Sequence, residues 1–143
     1  MTSPSAAAYK PGVGKPATRT HALLGLVLVV ACAPANHYPL RSTADQARGL
    51  AQVEEIEGGK RLVVLELRDL PLAAESAAAI VVWFRGGGET QKAGVIPYDP
   101  ALREGHFMAS TSLRSFDISI TAESSSQAPT PSATVLAVGH IPD

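Results

Sequence analysis

The chain is predicted to be all-β: an antiparallel Ig-like β-sandwich of about six or seven strands over residues 51–143. Three observations predict it. Residues 61–71 and 79–88 hold two β-branched, strongly apolar runs with turn signals between and after them. Strict apolar/polar alternation recurs at 63–68 and 116–121, the period of a half-buried strand. Turn residues then punctuate the chain to its end, with no good long helix, repeat or coiled coil.

The elements follow in order. Residues 1–31 read as a lipoprotein-type signal peptide, disordered or helical. Lys10, Lys15 and Arg19 precede the apolar run 22–33, which Pro34 ends. That run falls well short of the roughly 20 residues that span a bilayer and matches the core of a secretory signal. Val29-Val30-Ala31-Cys32 resembles the lipobox of bacterial lipoproteins: an aliphatic residue, a tolerant position, a small residue, then Cys. The resemblance implies cleavage before Cys32, a thioether-linked diacylglycerol on its sulfur, and a membrane partner held through two or three acyl chains. In a diderm, Ala33 after the Cys would sort the protein to the outer membrane. A single cysteine forms no internal disulfide and no Cys-based zinc site.

Residues 32–50 read as a linker, with Pro34, Asn36, Pro39, Ser42 and Thr43 supplying turn chemistry. The stretch 44–56 fits either a short helix capped by Thr43 or a strand near 52–56. The hairpin signal Glu57-Gly58-Gly59-Lys60 favours the strand. In the next strand Val63, Leu65 and Leu67 alternate with Val64, Glu66 and Arg68, and Leu70-Pro71 ends it. Residues 72–78 have room for a helical turn only. Residues 80–84 are apolar on both faces, so a central strand covered on each side is expected. Trp83 should be buried, its indole N–H in need of an acceptor. A loop is expected from Gly86 through Lys92, a short strand at 94–96 stopped by Pro97, turns at Asp99-Pro100 and 103–105, and a strand at 106–109. A one-side-buried strand at 116–121, a Ser/Pro loop at 124–132 and a last strand at 135–141 complete the domain. Gly139 marks a bulge or a close backbone approach there.

Composition narrows the function classes. Aromatic residues make up 5%, so the core is chiefly Val, Leu and Ile. Removing the three leader cations leaves 9 basic against 13 acidic side chains, a net charge of −4. That gives no electrostatic footprint for nucleic acid. The Gly86–Gly88 run lacks the spacing and following helix of a phosphate loop. Ser110, Ser112 and Ser115 have no nucleophile elbow around them. His106 with His140 as metal ligands, and Asp99 with Glu104 or Asp117 with Glu123 as carboxylate pairs, are weaker readings than solvated strand ends. No catalytic residue, metal or cofactor is expected.

A family resemblance runs through the domain. Leu67-Arg68-Asp69-Leu70-Pro71, Ile80-Val81-Val82-Trp83-Phe84, Ala93-Gly94-Val95-Ile96, Ile120-Thr121-Ala122-Glu123-Ser124, Pro129-Thr130 and the closing strand with Gly139 follow one another. In that order they resemble the C-terminal, extracytoplasmic domain of anti-sigma-K factors of the RskA type. Ile80 stands where that family usually has Tyr, and Ser124-Ser125-Ser126 where it has Pro and glycines. Only 21 residues precede the apolar run, too few for a sigma-binding helical bundle. The resemblance therefore implies the outer, sensor-like module alone, with Leu70, Pro71, Trp83, Gly94, Glu123, Pro129, Thr130 and Gly139 as structural positions. The expected protein is a lipid-anchored, non-enzymatic envelope module with an envelope protein partner, in a sigma/anti-sigma regulatory system. The alternative is a structural or assembly accessory of the envelope.

Overall fold

The computed structural model describes residues 36–42 and 48–143. The expectations for the signal, for Cys32 and for the Thr43 cap lie outside the described residues. Among the described residues nine strands form: β1 (Asn36–Arg41), β2 (Arg48–Ile56), β3 (Lys60–Arg68), β4 (Ala79–Gly86), β5 (Glu89–Ile96), β6 (Tyr98–Asp99), β7 (Glu104–Thr111), β8 (Phe116–Glu123) and β9 (Val135–Ile141). All neighbours are antiparallel, and the nine make one sheet in the order β5-β4-β8-β9-β1-β2-β3-β7-β6. The sheet curls until β5 approaches β7, giving a nearly closed barrel. The all-β, antiparallel expectation holds. The strands number nine instead of six or seven, and they are hydrogen-bonded into one sheet rather than divided between two.

The difference lies in strands with little buried surface. β1 falls within the expected linker. It contains Pro39, and only Leu40 of its six residues is buried, so hydrophobic periodicity could not reveal it. β5 begins at Glu89, inside the expected loop. Gly87 (φ 62°) and Gly88 (φ 86°) both take the left-handed conformation of a tight hairpin turn, so two residues suffice to reverse the chain. Glu89, Thr90, Gln91 and Lys92 then pair along β4 with their side chains exposed. A polar, exposed sheet edge with a bulge at Ala93 discourages pairing with other chains.

Alternation sorts the side chains onto two faces. Inside are Val63, Leu65 and Leu67 of β3, Ile80, Val82 and Phe84 of β4, Phe116, Ile118 and Ile120 of β8, and Leu136 and Ile141 of β9. The Phe84 and Phe116 rings lie 5.0 Å apart at 51°. Burying such side chains away from water drives the fold. Trp83, Val81 and Ala79 point the other way and form a second, small apolar cluster on the outer face of β4. The expectation that 80–84 is covered on both sides is met.

Two seams are closed by side chains more than by ladders. No ladder joins β5 to β7. They meet where Gly94 lets the Phe107 ring in, since a β-carbon at 94 would lie 2.8 Å from Phe107 Cε2. Between β1 and β9 the paired register is Arg41 with Val138. Pro39, having no N–H, cannot extend that ladder. Leu40 seals the seam instead, packed against Gly49 on one side and Gly139 on the other.

The connections divide between two poles. The start of β1 shares one pole with the short turns at 57–59, 87–88 and 112–115. The longer stretches 69–78, 97–103 and 124–134 gather at the other. At that long-loop pole Asp69 N donates to Arg103 O at 2.8 Å, and Arg103 Nη2 donates to Leu70 O at 2.8 Å. These two loops are thus tied reciprocally.

Candidate functional site

Alternation also decides what the outer face of β4, β8, β9 and β1 displays. Cross-strand pairing sets Arg85 beside Asp117 and Asp117 beside His140. The next row runs from Trp83 through Ser119 and Val138 to Arg41. Together these strands form an open groove of about 680 Å3, with Pro39, Val135 and Val138 as its apolar part. His140 Nδ1 and Asp117 Oδ1 are 2.8 Å apart. The guanidiniums of Arg41 and Arg85 make no ion pair among the described residues. They stand on strands three apart, about 14 Å at the usual strand spacing. A guanidinium presents a planar fork of donors that matches a carboxylate or phosphate. Two unpaired forks flanking apolar side chains suit an anion with an apolar body.

The groove also holds the residue types of a hydrolytic triad, but not its geometry. Asp117 and His140 are paired, yet Ser119 makes no hydrogen bond to His140. β8 lies between β4 and β9, so its backbone is taken up by two ladders and offers no oxyanion hole beside Ser119.

Beside the groove, on the same face, lies a buried polar chain. Trp83 is 2% exposed, and its Nε1 donates to Thr121 Oγ1 at 2.8 Å, so the expected acceptor exists. The Thr121 hydroxyl donates in turn to Glu123 Oε1. Glu123, 5% exposed, also accepts from Ser132 N at 2.8 Å. Ser132 Oγ donates to Ala122 O at 2.8 Å. Lys92 Nζ lies 5.9 Å from the Trp83 ring centroid and donates to Ser126 O and Ala128 O. The loop at 124–134 is therefore fastened beside Trp83 from both of its arms. A buried carboxylate satisfied by two donors is stable where an unsatisfied one would be costly.

The positions singled out from sequence are distributed as follows. Cys32 is outside the described residues. Trp83 and Glu123 are brought together through Thr121. Pro129 and Thr130 sit exposed in the loop that this chain of bonds fastens. Leu70 is fully buried at the long-loop pole, and Pro71 begins the 3-10 turn Leu72–Ala74. Gly94 lies at the β5 bulge and admits Phe107. Gly139 admits the Leu40 side chain and not a neighbouring backbone, and the bulge in β9 is at Leu136. Asp117 and Glu123 are at opposite ends of β8 and do not pair. Asp99 and Glu104 are register neighbours, but Asp99 accepts from Ala101 N and Leu102 N while Glu104 pairs with Arg68. No cluster of three metal-ligating side chains occurs among the described residues. Arg41 and Arg85 were not among the expected site residues. Register brings them to one groove, and register is not written in either strand alone.

None of the described helices is long and apolar enough to cross a membrane. Comparison of the chain with protein-family models, curated proteins and solved structures returns no match.

Proposed function

We propose that this protein is a lipid-anchored, non-catalytic binding module of the cell envelope, and that its ligand is an anion with an apolar body. The observation that carries the ligand reading is the groove, where Arg41 and Arg85 flank Pro39, Val135 and Val138 without an ion-pair partner. In a domain of net negative charge, two such guanidiniums in one groove are a local exception. The Cys32 lipobox supports the anchor. The chain from Cys32 to Asn36 reaches at most about 14 Å. A lipid on Cys32 would hold the short-turn pole near the bilayer and turn the long-loop pole outward. The ordered likeness to the RskA-type outer domain supports a place in extracytoplasmic regulation, with no role in binding sigma itself.

The anchor and the ligand are tested separately. Metabolic labelling with a clickable palmitate analogue is expected to mark the wild type and not Cys32→Ala, which should leave the membrane fraction. Label persisting in Cys32→Ala would sink the anchor. For the ligand, membrane-reconstituted protein is titrated with 4-butylbenzoate and with 4-butylbenzylammonium. The carboxylate should bind and the ammonium should not. Arg41→Ala with Arg85→Ala should weaken binding about tenfold, the worth of one charge-assisted hydrogen bond. Equal binding of both probes, or none by the wild type, would overturn the ligand reading.

A further inference from the structure

None of residues 124–134 lines the groove. Of these eleven residues six carry a hydroxyl and two are prolines, and none is charged, aromatic or a large aliphatic. Such a segment has nothing to bury in a core. Ser and Thr interspersed with Pro is also the composition of chain that carries O-linked sugar.

The structure sorts the six hydroxyl residues. Ser132 Oγ donates to Ala122 O and accepts from Thr134 N. Ser125 Oγ accepts from Gln127 N, and Ser125 O from Ala128 N. Ser126 O accepts from Lys92, and Thr134 O from Ala122 N. Ser124 makes no bond but directly follows β8. Thr130 stands apart from these five. It is exposed, distant in sequence from either strand, and makes no hydrogen bond through backbone or side chain among the described residues.

The loop also presents Thr130. Ala128 O accepts from Lys92 Nζ at 3.2 Å on one side, and Ser132 N donates to Glu123 Oε1 at 2.8 Å on the other. Between these two feet the chain bends at Pro129 and Thr130. Pro129 and Pro131 have no N–H to donate. The arch 129–131 is therefore held at its feet alone, and a second protein can grip it without breaking a bond of the barrel. Exposed loops on a rigid scaffold are where such chemistry is done.

We infer that Thr130 is an O-glycosylation site that takes a neutral sugar from a glycosyl-phosphate donor. In the transfer Thr130 Oγ1 bonds to the anomeric carbon of the sugar. The bond from that carbon to the phosphate oxygen breaks, its electron pair leaving with the phosphate. The hydroxyl proton passes to a base of the transferase. The choice of sugar over phosphate rests on the extracytoplasmic reading of the protein, where ATP is not at hand. The choice of Thr130 rests on the loop alone.

The test uses the full-length protein purified from its native host and digested with trypsin. No Lys or Arg follows Arg114, so residues 115–143 are released as one peptide. Mass spectrometry with electron-transfer fragmentation is expected to find this peptide heavier by one or more sugar residues, with the attachment on Thr130. Thr130→Val keeps the shape of the side chain, has no hydrogen bond to lose, and should abolish the modification. Thr130→Ser restores the hydroxyl and should retain it. An unmodified wild-type peptide, sugar retained in Thr130→Val, or phosphate in place of sugar would each overturn the inference. Palmitate labelling and 4-butylbenzoate binding are read separately on the same protein, so failure of the anchor or of the ligand reading is distinguishable from absence of the sugar.

Discussion

Trp83→Ala is expected to destabilise the barrel by about 3–5 kcal/mol, measured by urea unfolding followed by far-UV circular dichroism. Against a usual domain stability of about 5–15 kcal/mol, that leaves a marginal fold. Two losses combine. The ring is 2% exposed and sits in a small cluster with Val81 and Ala79, so its removal leaves a void with little around it to collapse inward. The loop at 124–134 also loses the surface it lies against, while Lys92 loses the ring beneath its ammonium. Trp83→Phe separates the causes. It keeps most of the apolar volume but deletes the N–H that Thr121 accepts, at a cost of about 0.5–1.5 kcal/mol for the hydrogen bond. A loss below about 1 kcal/mol in Trp83→Ala would mean that the outer cluster does not support the sheet.

Leu40→Ala comes second, with an expected loss of about 2–5 kcal/mol. Leu40 is the one buried side chain of β1, and it seals a seam where the ladder to β9 has a single paired register. The same seam can be attacked from the other side. A β-carbon at Gly49 would lie 2.8 Å from Leu40 Cβ and 2.9 Å from Leu67 Cδ2, so Gly49→Val has to expel one of them. β1 is the element with less to hold it. Hydrogen exchange should therefore quicken across Asn36–Arg41 in Gly49→Val while the amides of β3 and β8 stay protected. Uniform acceleration across all strands would show instead that β1 is integral to the cooperative unit.

What was legible in the sequence follows how each strand is buried. β3 and β8 were readable because Val63, Leu65 and Leu67, and Phe116, Ile118 and Ile120, face the interior while their neighbours do not. β4 was readable as a doubly covered strand because all six residues from Ala79 to Phe84 are buried. β1 and the first half of β5 were not readable. Leu40 is one buried residue in six, and Glu89–Lys92 form an exposed edge, so neither has a period to detect. The single-sheet architecture was hidden for the same reason: β1 joins β9 to β2, and without it the strands read as separate sets. The partner of the Trp83 N–H was anticipated in kind, because a buried indole needs an acceptor, but Thr121 could be named only after β4 and β8 were in register. The groove was the least legible feature. Arg41, Arg85, Asp117 and His140 lie on four strands, and each alone is an ordinary solvated side chain.

The place of β9 in the sheet has a consequence for timing. Val135–Ile141 lies between β8 and β1, so the strands made before it fall into two groups, β5-β4-β8 and β1-β2-β3-β7-β6, that β9 alone joins by hydrogen bonds. It is also the last of the nine strands to leave the ribosome. Until then β1 pairs only with β2, and its other neighbour lies almost a hundred residues downstream; pairings that distant in sequence form slowly. A nascent chain is thus kept from completing its barrel until β9 has been made.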